Sequence, residues 1–168
     1  MKKSDIHQRR QTRFAARSYV VHTSAIHGSG VFATRRIAAG SRIIEYRGER
    51  ISWELAQQRA AASGKPISHT YFFTLNDGRI IDGDSSGNDA RFINHSCEPN
   101  CEPLEHPDGR VFIYSLQDIE SGEELTYYYA LIYEGRHTKV VRQSFPCHCG
   151  TPACTGTMLA PKATTRKA

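Results

Sequence analysis

The sequence predicts a mostly β fold with several short strands and little helix. Three observations carry this. Short runs of β-branched and aromatic residues recur along the chain, each closed by Gly, Pro, Asn or Asp turn chemistry. Only one segment has a clear helical composition. The length, 168 residues, suits one compact domain with a sizeable core and little room for a second. A hydrophobic fraction of 39% excludes full disorder. No stretch approaches the 18 apolar residues of a membrane span. The N-terminus is polar and basic, without the apolar stretch of a secretory signal.

The elements follow in order. Tyr19-Val20-Val21 is β-like, and His27-Gly28-Ser29-Gly30 is turn chemistry before the strand Val31-Phe32-Ala33. Ala38-Ala39-Gly40-Ser41 turns into Arg42-Ile43-Ile44-Glu45-Tyr46, which Gly48 ends. Ser52 is an N-cap for a helix over Leu55 to Ala62, and Gly64 and Pro66 stop it. Tyr71 to Leu75 and Ile80-Ile81 flank Asn76-Asp77-Gly78 as a hairpin. A short helix is expected from about Asn88 to Ile93. Val111 to Leu116 follows the turn Pro107-Asp108-Gly109, and Leu125 to Tyr129 follows Ser121-Gly122. No internal repeat is present.

Charge is unevenly spread. Residues 1–17 carry six Lys/Arg and one Asp, and residues 162–168 carry three Lys/Arg and no acid. The intervening body, with thirteen Lys/Arg against sixteen Asp/Glu, is net −3. An acidic body suits basic partners such as Lys/Arg-rich peptides. It argues against duplex nucleic acid as a direct ligand, beyond weak contact through the two basic arms. The first arm also has the composition of a weak nuclear import signal.

Cys97, Cys101, Cys147, Cys149 and Cys154 make an odd set, and three of them cluster near the C-terminus. Without a signal peptide, that clustering reads as metal binding in a reducing compartment rather than a disulfide framework.

The most specific segment is Arg91-Phe92-Ile93-Asn94-His95-Ser96-Cys97-Glu98-Pro99-Asn100-Cys101. Four more segments stand in a matching order: His27 to Ala33, Glu45-Tyr46-Arg47-Gly48-Glu49-Arg50-Ile51, Glu123 to Tyr129, and Cys147-His148-Cys149-Gly150-Thr151-Pro152-Ala153-Cys154. Together they resemble the SET-domain protein lysine methyltransferases with a post-SET zinc segment, over roughly residues 18–160. The likeness is strongest to the histone-methylating, mixed-lineage-leukaemia-type branch.

That resemblance implies a fold of several small β-sheets with a pseudoknot beside the Tyr129 strand, a short helical insert and a zinc-bound C-terminal segment. It implies a layout of a basic arm at 1–17, the SET domain at 18–134 with an insert at about 52–70, the post-SET segment at 135–160 and a basic tail at 161–168. It implies methyl transfer from S-adenosyl-L-methionine to a lysine of a histone or histone-like basic protein. Tyr129 would be the catalytic tyrosine. Tyr71 and Tyr46 would line the lysine channel, and Tyr127 would occupy the position that limits the number of methyl groups. Gly28, Ser29, Gly30, Asn94, His95 and Tyr129 would bind the cofactor. Cys97, Cys147, Cys149 and Cys154 would hold zinc, leaving Cys101 as a small buried residue. Arg91 and Phe92 would hold their segment in place, while Met158 and Leu159 would face the adenine or the core.

The chemistry suits these residue types. An amine must be neutral to attack a methyl group, and a free lysine has a pKa of about 10.4. An apolar channel disfavours its ammonium form. Tyrosine rings wall such a channel and their hydroxyls bond the amine.

Two departures stand out. Tyr128 occupies a position where the family commonly has Asp, and no cysteine-rich pre-SET segment precedes Tyr19. The brevity of the chain suggests a free-standing enzyme, in a bacterial cytoplasm or at the nucleus and chromatin. Lys162 and Lys167 lie in a tail of histone-like composition and are candidates for self-methylation. The competing reading is a catalytically inactive SET-like module that binds basic peptides or a partner protein.

Overall fold

The computed structural model describes residues 17–64 and 70–162. Ten strands and two α-helices are formed among them. The strands are β1 (Tyr19–Thr23), β2 (Ser29–Ala33), β3 (Arg42–Tyr46), β4 (Glu49–Ile51), β5 (Phe72–Thr74), β6 (Ile80–Asp82), β7 (Asn94–His95), β8 (Cys101–Glu105), β9 (Val111–Ser115) and β10 (Glu124–Tyr127). The helices are α1 (Trp53–Ser63) and α2 (Lys139–Gln143), and a 3-10 turn covers Asp89–Phe92.

Each segment forms for a local reason. Ser52 caps α1 by accepting the Leu55 N–H, and Gly64 ends it in the left-handed conformation, φ +64°. Thr138 caps α2 by accepting the Val141 N–H. The expected helix at 88–93 is a 3-10 turn of four residues. Strand-like residues continue as expected at β1, β2, β3 and β9, but β10 ends at Tyr127, so Tyr128 and Tyr129 lie beyond it.

Two sheets result. The larger has the order β1-β2-β10-β8-β9-β3, with β7 added beside β10, and the smaller has the order β4-β6-β5. The segment Glu45 to Ile51 is divided between them at Arg47-Gly48, where the sequence reading ends the first strand. Gly48 sits so close to the carbonyl of Asp82 that any Cβ would collide with it. The core of the larger sheet is Val31, Ile44, Ile93, Val111, Ile113 and Leu125, with Cys101 buried among them.

The placement of β10 organises the site. Glu124 and Leu125 pair antiparallel with β2. Thr126 and Tyr127 then pair in parallel with Asn94 and His95 of β7. Tyr127 also pairs with Cys101 of β8. Asn100 completes that edge, accepting the Thr126 N–H at 2.9 Å and donating to the Glu124 carbonyl at 2.8 Å. Its side chain thus does the work of a strand's peptide group. Segments some thirty residues apart in sequence are held side by side by backbone hydrogen bonds.

The C-terminal stretch returns to the same place. Leu131 bridges Leu159 in parallel, and Pro146 bridges Thr157. Leu131 donates to the Met158 carbonyl and Ala160 to the Leu131 carbonyl.

Candidate active site

A cavity of about 380 Å³ opens where these segments meet. Ile26, His27, Gly28 and Ser29 form one wall, and Thr70, Tyr71, Arg91 and Phe92 another. Asn94, His95 and Tyr129 lie on a third side, and Pro146, Cys147, His148 and Met158 close it from the C-terminal stretch. Such a volume is in the range of sites for small organic ligands.

The turn before β2 and the start of that strand are shaped by two different glycines. Gly28 has φ +49°, a conformation that a side chain disfavours. Gly30 has no space: a Cβ there would run into the Glu124 carboxylate and Ser24. Glu124 accepts the Ser24 hydroxyl at 2.8 Å and the Asn94 amide at 2.7 Å. The same Asn94 nitrogen reaches the His27 and Ser29 carbonyls at 3.2 and 3.0 Å. The Asn94 amide nitrogen is thus engaged with the Gly28 loop and shapes the cavity wall, while the residue itself lines the cavity. Glu124 and Ser24 belong to this machinery, and no residue spacing announces it.

The four tyrosines are grouped but not equivalent. Tyr129 and Tyr71 line the cavity; Tyr46 and Tyr127 are buried behind them. The Tyr127 and Tyr129 rings lie 4.9 Å apart. The Tyr46 hydroxyl donates to the Tyr71 carbonyl at 2.9 Å, and the Tyr129 hydroxyl donates to the Ile93 carbonyl at 2.8 Å. Burial, reinforced by neighbouring phenols, pushes the Tyr46, Tyr127 and Tyr129 hydroxyls well above their ordinary value, so all three stay protonated at neutral pH. Arg91 lies over the Tyr71 and Phe92 rings, 5.6 and 4.6 Å from their centres, and donates to the Gly83 carbonyl. It therefore faces the cavity as well as holding its segment.

His95 is buried, 3% exposed, and burial holds its imidazole down at about 4. Its Nδ1 accepts the Tyr129 N–H at 3.1 Å, and its Nε2 faces Cys97 Sγ at 3.6 Å.

Cys97, Cys147, Cys149 and Cys154 bring their sulfurs within 4.8 Å of one another. Cys97 and Cys147 are 3.8 Å apart. Tetrahedral zinc with Zn–S bonds of about 2.3 Å places its sulfurs about 3.8 Å apart, so the donor set fits zinc. Burial pushes the Cys147 thiol up. It acts on Cys149 too, but donors from Cys97 and Thr151 outweigh it and hold that thiol down at about 6. Thiols this crowded ionise together only with a cation among them. His148 is outside the cluster and lines the cavity. Cys101 is buried elsewhere, and burial pushes its thiol up to about 12. Met158 faces the cavity, whereas Leu159 belongs to the core.

The sequence matches the SET domain family over residues 28–130. This chain belongs to the SET-domain family. It is 42% identical over 137 residues to a histone-lysine N-methyltransferase, H3 lysine-4 specific, of Candida albicans, covering 79% of this chain and 13% of that protein. It is 43% identical over 138 residues to the human histone-lysine N-methyltransferase 2B, covering 80% of this chain and 5% of that protein. The Saccharomyces cerevisiae histone-lysine N-methyltransferase, H3 lysine-4 specific, is 42% identical over 137 residues, covering 79% of this chain and 12% of that protein. The chain thus spans a small fraction of the length of these relatives. The SET-domain match takes in the Gly28 loop, Tyr46, Tyr71, the Asn94-His95 strand, Cys97 and Tyr129.

Proposed function

We propose that this SET domain is a protein lysine N-methyltransferase that uses S-adenosyl-L-methionine. Its substrate is a lysine on a histone or histone-like basic protein. The single observation that carries this reading is the convergence of Tyr129 and Tyr71 with the Gly28 loop and the Asn94-His95 strand around one cavity.

The residues divide the work. Gly28, Ser29, Gly30, Asn94 and His95 form the cofactor side, with Tyr129 at its boundary. When bound, the cofactor supplies a methyl group on a cationic sulfonium. Tyr71, backed by the buried Tyr46 and Tyr127, walls the lysine side. Those rings desolvate an incoming ammonium and so favour its neutral form. The Tyr129 hydroxyl, fixed by the Ile93 carbonyl, presents its oxygen lone pairs to orient the amine. Tyr127 stands behind Tyr129 and limits the room for added methyl groups, which favours one or two. Cys97, Cys147, Cys149 and Cys154 hold a structural zinc that fixes the C-terminal wall of the cavity.

The acidic body suits a basic protein tail, and the five unpaired cysteines suit a reducing compartment such as the nucleus, on chromatin. No helix among the described residues is long and apolar enough to cross a membrane. Lys162 is exposed, two residues beyond the Ala160–Leu131 hydrogen bond, and is a candidate for self-methylation. Lys167 and all of the N-terminal arm before Arg17 lie outside the described residues.

Incubation with methyl-labelled cofactor, alone and with core histones or a basic protein extract, tests this. Mass spectrometry should find label on lysine, as mono- or dimethyl. Cofactor binding without label would point to a missing partner or substrate; no label and no cofactor binding would favour the inactive peptide-binding module.

A further inference from the structure

We infer that His95 is a positioning residue that ties the cysteine cluster to Tyr129, accepting the Tyr129 backbone N–H on Nδ1 and donating from Nε2 to Cys97. This rests on the reading of the cysteines as zinc ligands and of Tyr129 as the catalytic group.

The argument starts from the backbone. Tyr129 lies two residues past the end of β10, where no ladder holds its N–H. Ala130, next in line, is bent into the left-handed region at φ +50°, which turns the chain away. The Tyr129 N–H goes to His95 Nδ1 at 3.1 Å. A backbone N–H can only donate, so Nδ1 carries the lone pair and the ring proton sits on Nε2. Nε2 faces Cys97 Sγ at 3.6 Å, and in that tautomer the nitrogen is the donor. Cys97 Sγ also receives the Thr155 N–H at 3.5 Å, while the Thr155 hydroxyl donates to the Thr157 carbonyl. Donors converging on one sulfur suit a metal-bound thiolate.

The ring is flanked by aromatic side chains. It is packed between Tyr128 and Tyr129, with ring centres 5.1 and 5.3 Å away. Both ends of Tyr129 are therefore held by one segment, the hydroxyl by Ile93 and the amide by His95. That segment is continuous with the sulfur that anchors the cluster.

Two near-isosteric variants separate the two bonds. In His95→Asn an amide oxygen can take the place of Nδ1 and keep the Tyr129 N–H, but nothing reaches Cys97. In His95→Gln an amide nitrogen can reach the place of Nε2 and keep the Cys97 contact, but the acceptor is lost. Zinc affinity is measured by chelator competition, and the thiolate-to-metal band is read on the cobalt-loaded protein. His95→Asn should weaken zinc about 10- to 100-fold and shift the band. His95→Gln should hold zinc within about threefold and lose turnover at near-constant Michaelis constant for the protein substrate. Unchanged zinc affinity and band in His95→Asn overturns the inference, as does an equal loss of both properties in both variants. Nitrogen NMR of the unaltered protein gives an independent reading should a variant misfold: a proton on Nδ1 of His95 also overturns it. Failure of the unaltered protein to take up one zinc refutes the parent metal reading. A zinc-loaded protein that transfers no methyl refutes the enzyme reading, while the metal arm of the test stands.

Discussion

In the proposed reaction the Tyr129 hydroxyl is the smallest unit on which activity would turn. Its ring is held by Tyr127 and His95, and its oxygen by the Ile93 carbonyl. Tyr129→Phe keeps the ring and deletes only the oxygen. Turnover should fall by about 10²-fold or more, because a misplaced amine loses its line of attack. The folded protein should lose only about 1 kcal/mol, the worth of one neutral hydrogen bond. Single-turnover methyl transfer, set beside a cofactor titration, reads the two effects separately. Full activity in this variant would reassign the catalytic role. The two loop glycines offer a second residue-scale contrast. Gly28→Ala meets no neighbour and bears only the strain of its left-handed backbone, about 1 kcal/mol. Gly30→Ala drives a methyl into the Glu124 carboxylate and should cost more, about 1–3 kcal/mol. Thermal melts should therefore rank Gly30→Ala as the less stable of the two; the reverse order would place the loop's constraint at the turn.

At the scale of elements, β3 is joined by its ladder to β9 and by charge to Arg110, the residue that leads into β9. Arg110 makes two hydrogen bonds to the Glu45 carboxylate, at 2.9 and 2.8 Å, and Arg47 adds a third. The Arg110 guanidinium is the main cause, with Arg47, that holds the Glu45 carboxyl down at about 2. The folded state therefore binds this proton less readily than the unfolded chain. The stabilisation is present above about pH 4.5 and is lost as pH falls towards 2. Denaturation midpoints followed from pH 5 to 2.5 should fall more steeply in the unaltered protein than in Glu45→Gln. Equal slopes would show that the pair is screened by solvent. Little of this pairing was legible beforehand. The helix α1 was, because Ser52 and Gly64 mark its ends by local chemistry. The cysteine spacing was legible too, since thiolates at short intervals have few other uses. Strand β8 was missed because Pro103 stands within it and its hydrophobic pattern is short. The strand's end at Gly48 was legible, but the passage of Glu49–Ile51 to a second sheet was not, because the close approach to Asp82 involves a residue more than thirty positions away. The fate of the Asn94 amide was hidden for the same reason: its partners belong to other segments.

For the whole molecule, the cysteine cluster decides whether the cavity has a fourth wall. Pro146, Cys147, His148 and Met158 all come from the C-terminal stretch. That stretch is tied to the body by the Leu131–Leu159 bridge, by Glu98 accepting the Ala153 N–H, and by the sulfur of Cys97. Cys97 is the one member of the cluster that lies before β8, so a metal there would staple the end of the chain to the strand bearing Asn94 and His95. Binding energy of the metal is then folding energy for this segment. Chelation should expose residues 147–157 to protease and weaken cofactor binding at least about tenfold, with the far-ultraviolet signal of the sheets largely kept. Cys154→Ser should do the same without chelator. Cys101→Ala is the contrasting variant: it lies outside the cluster in the core, so it should retain full zinc stoichiometry while losing some thermal stability. Protease resistance and cofactor affinity that both survive chelation would mean that backbone pairing alone holds the wall. Loss of both, restored together by added zinc, would mean that the sheets build three sides of the cavity and the metal supplies the fourth.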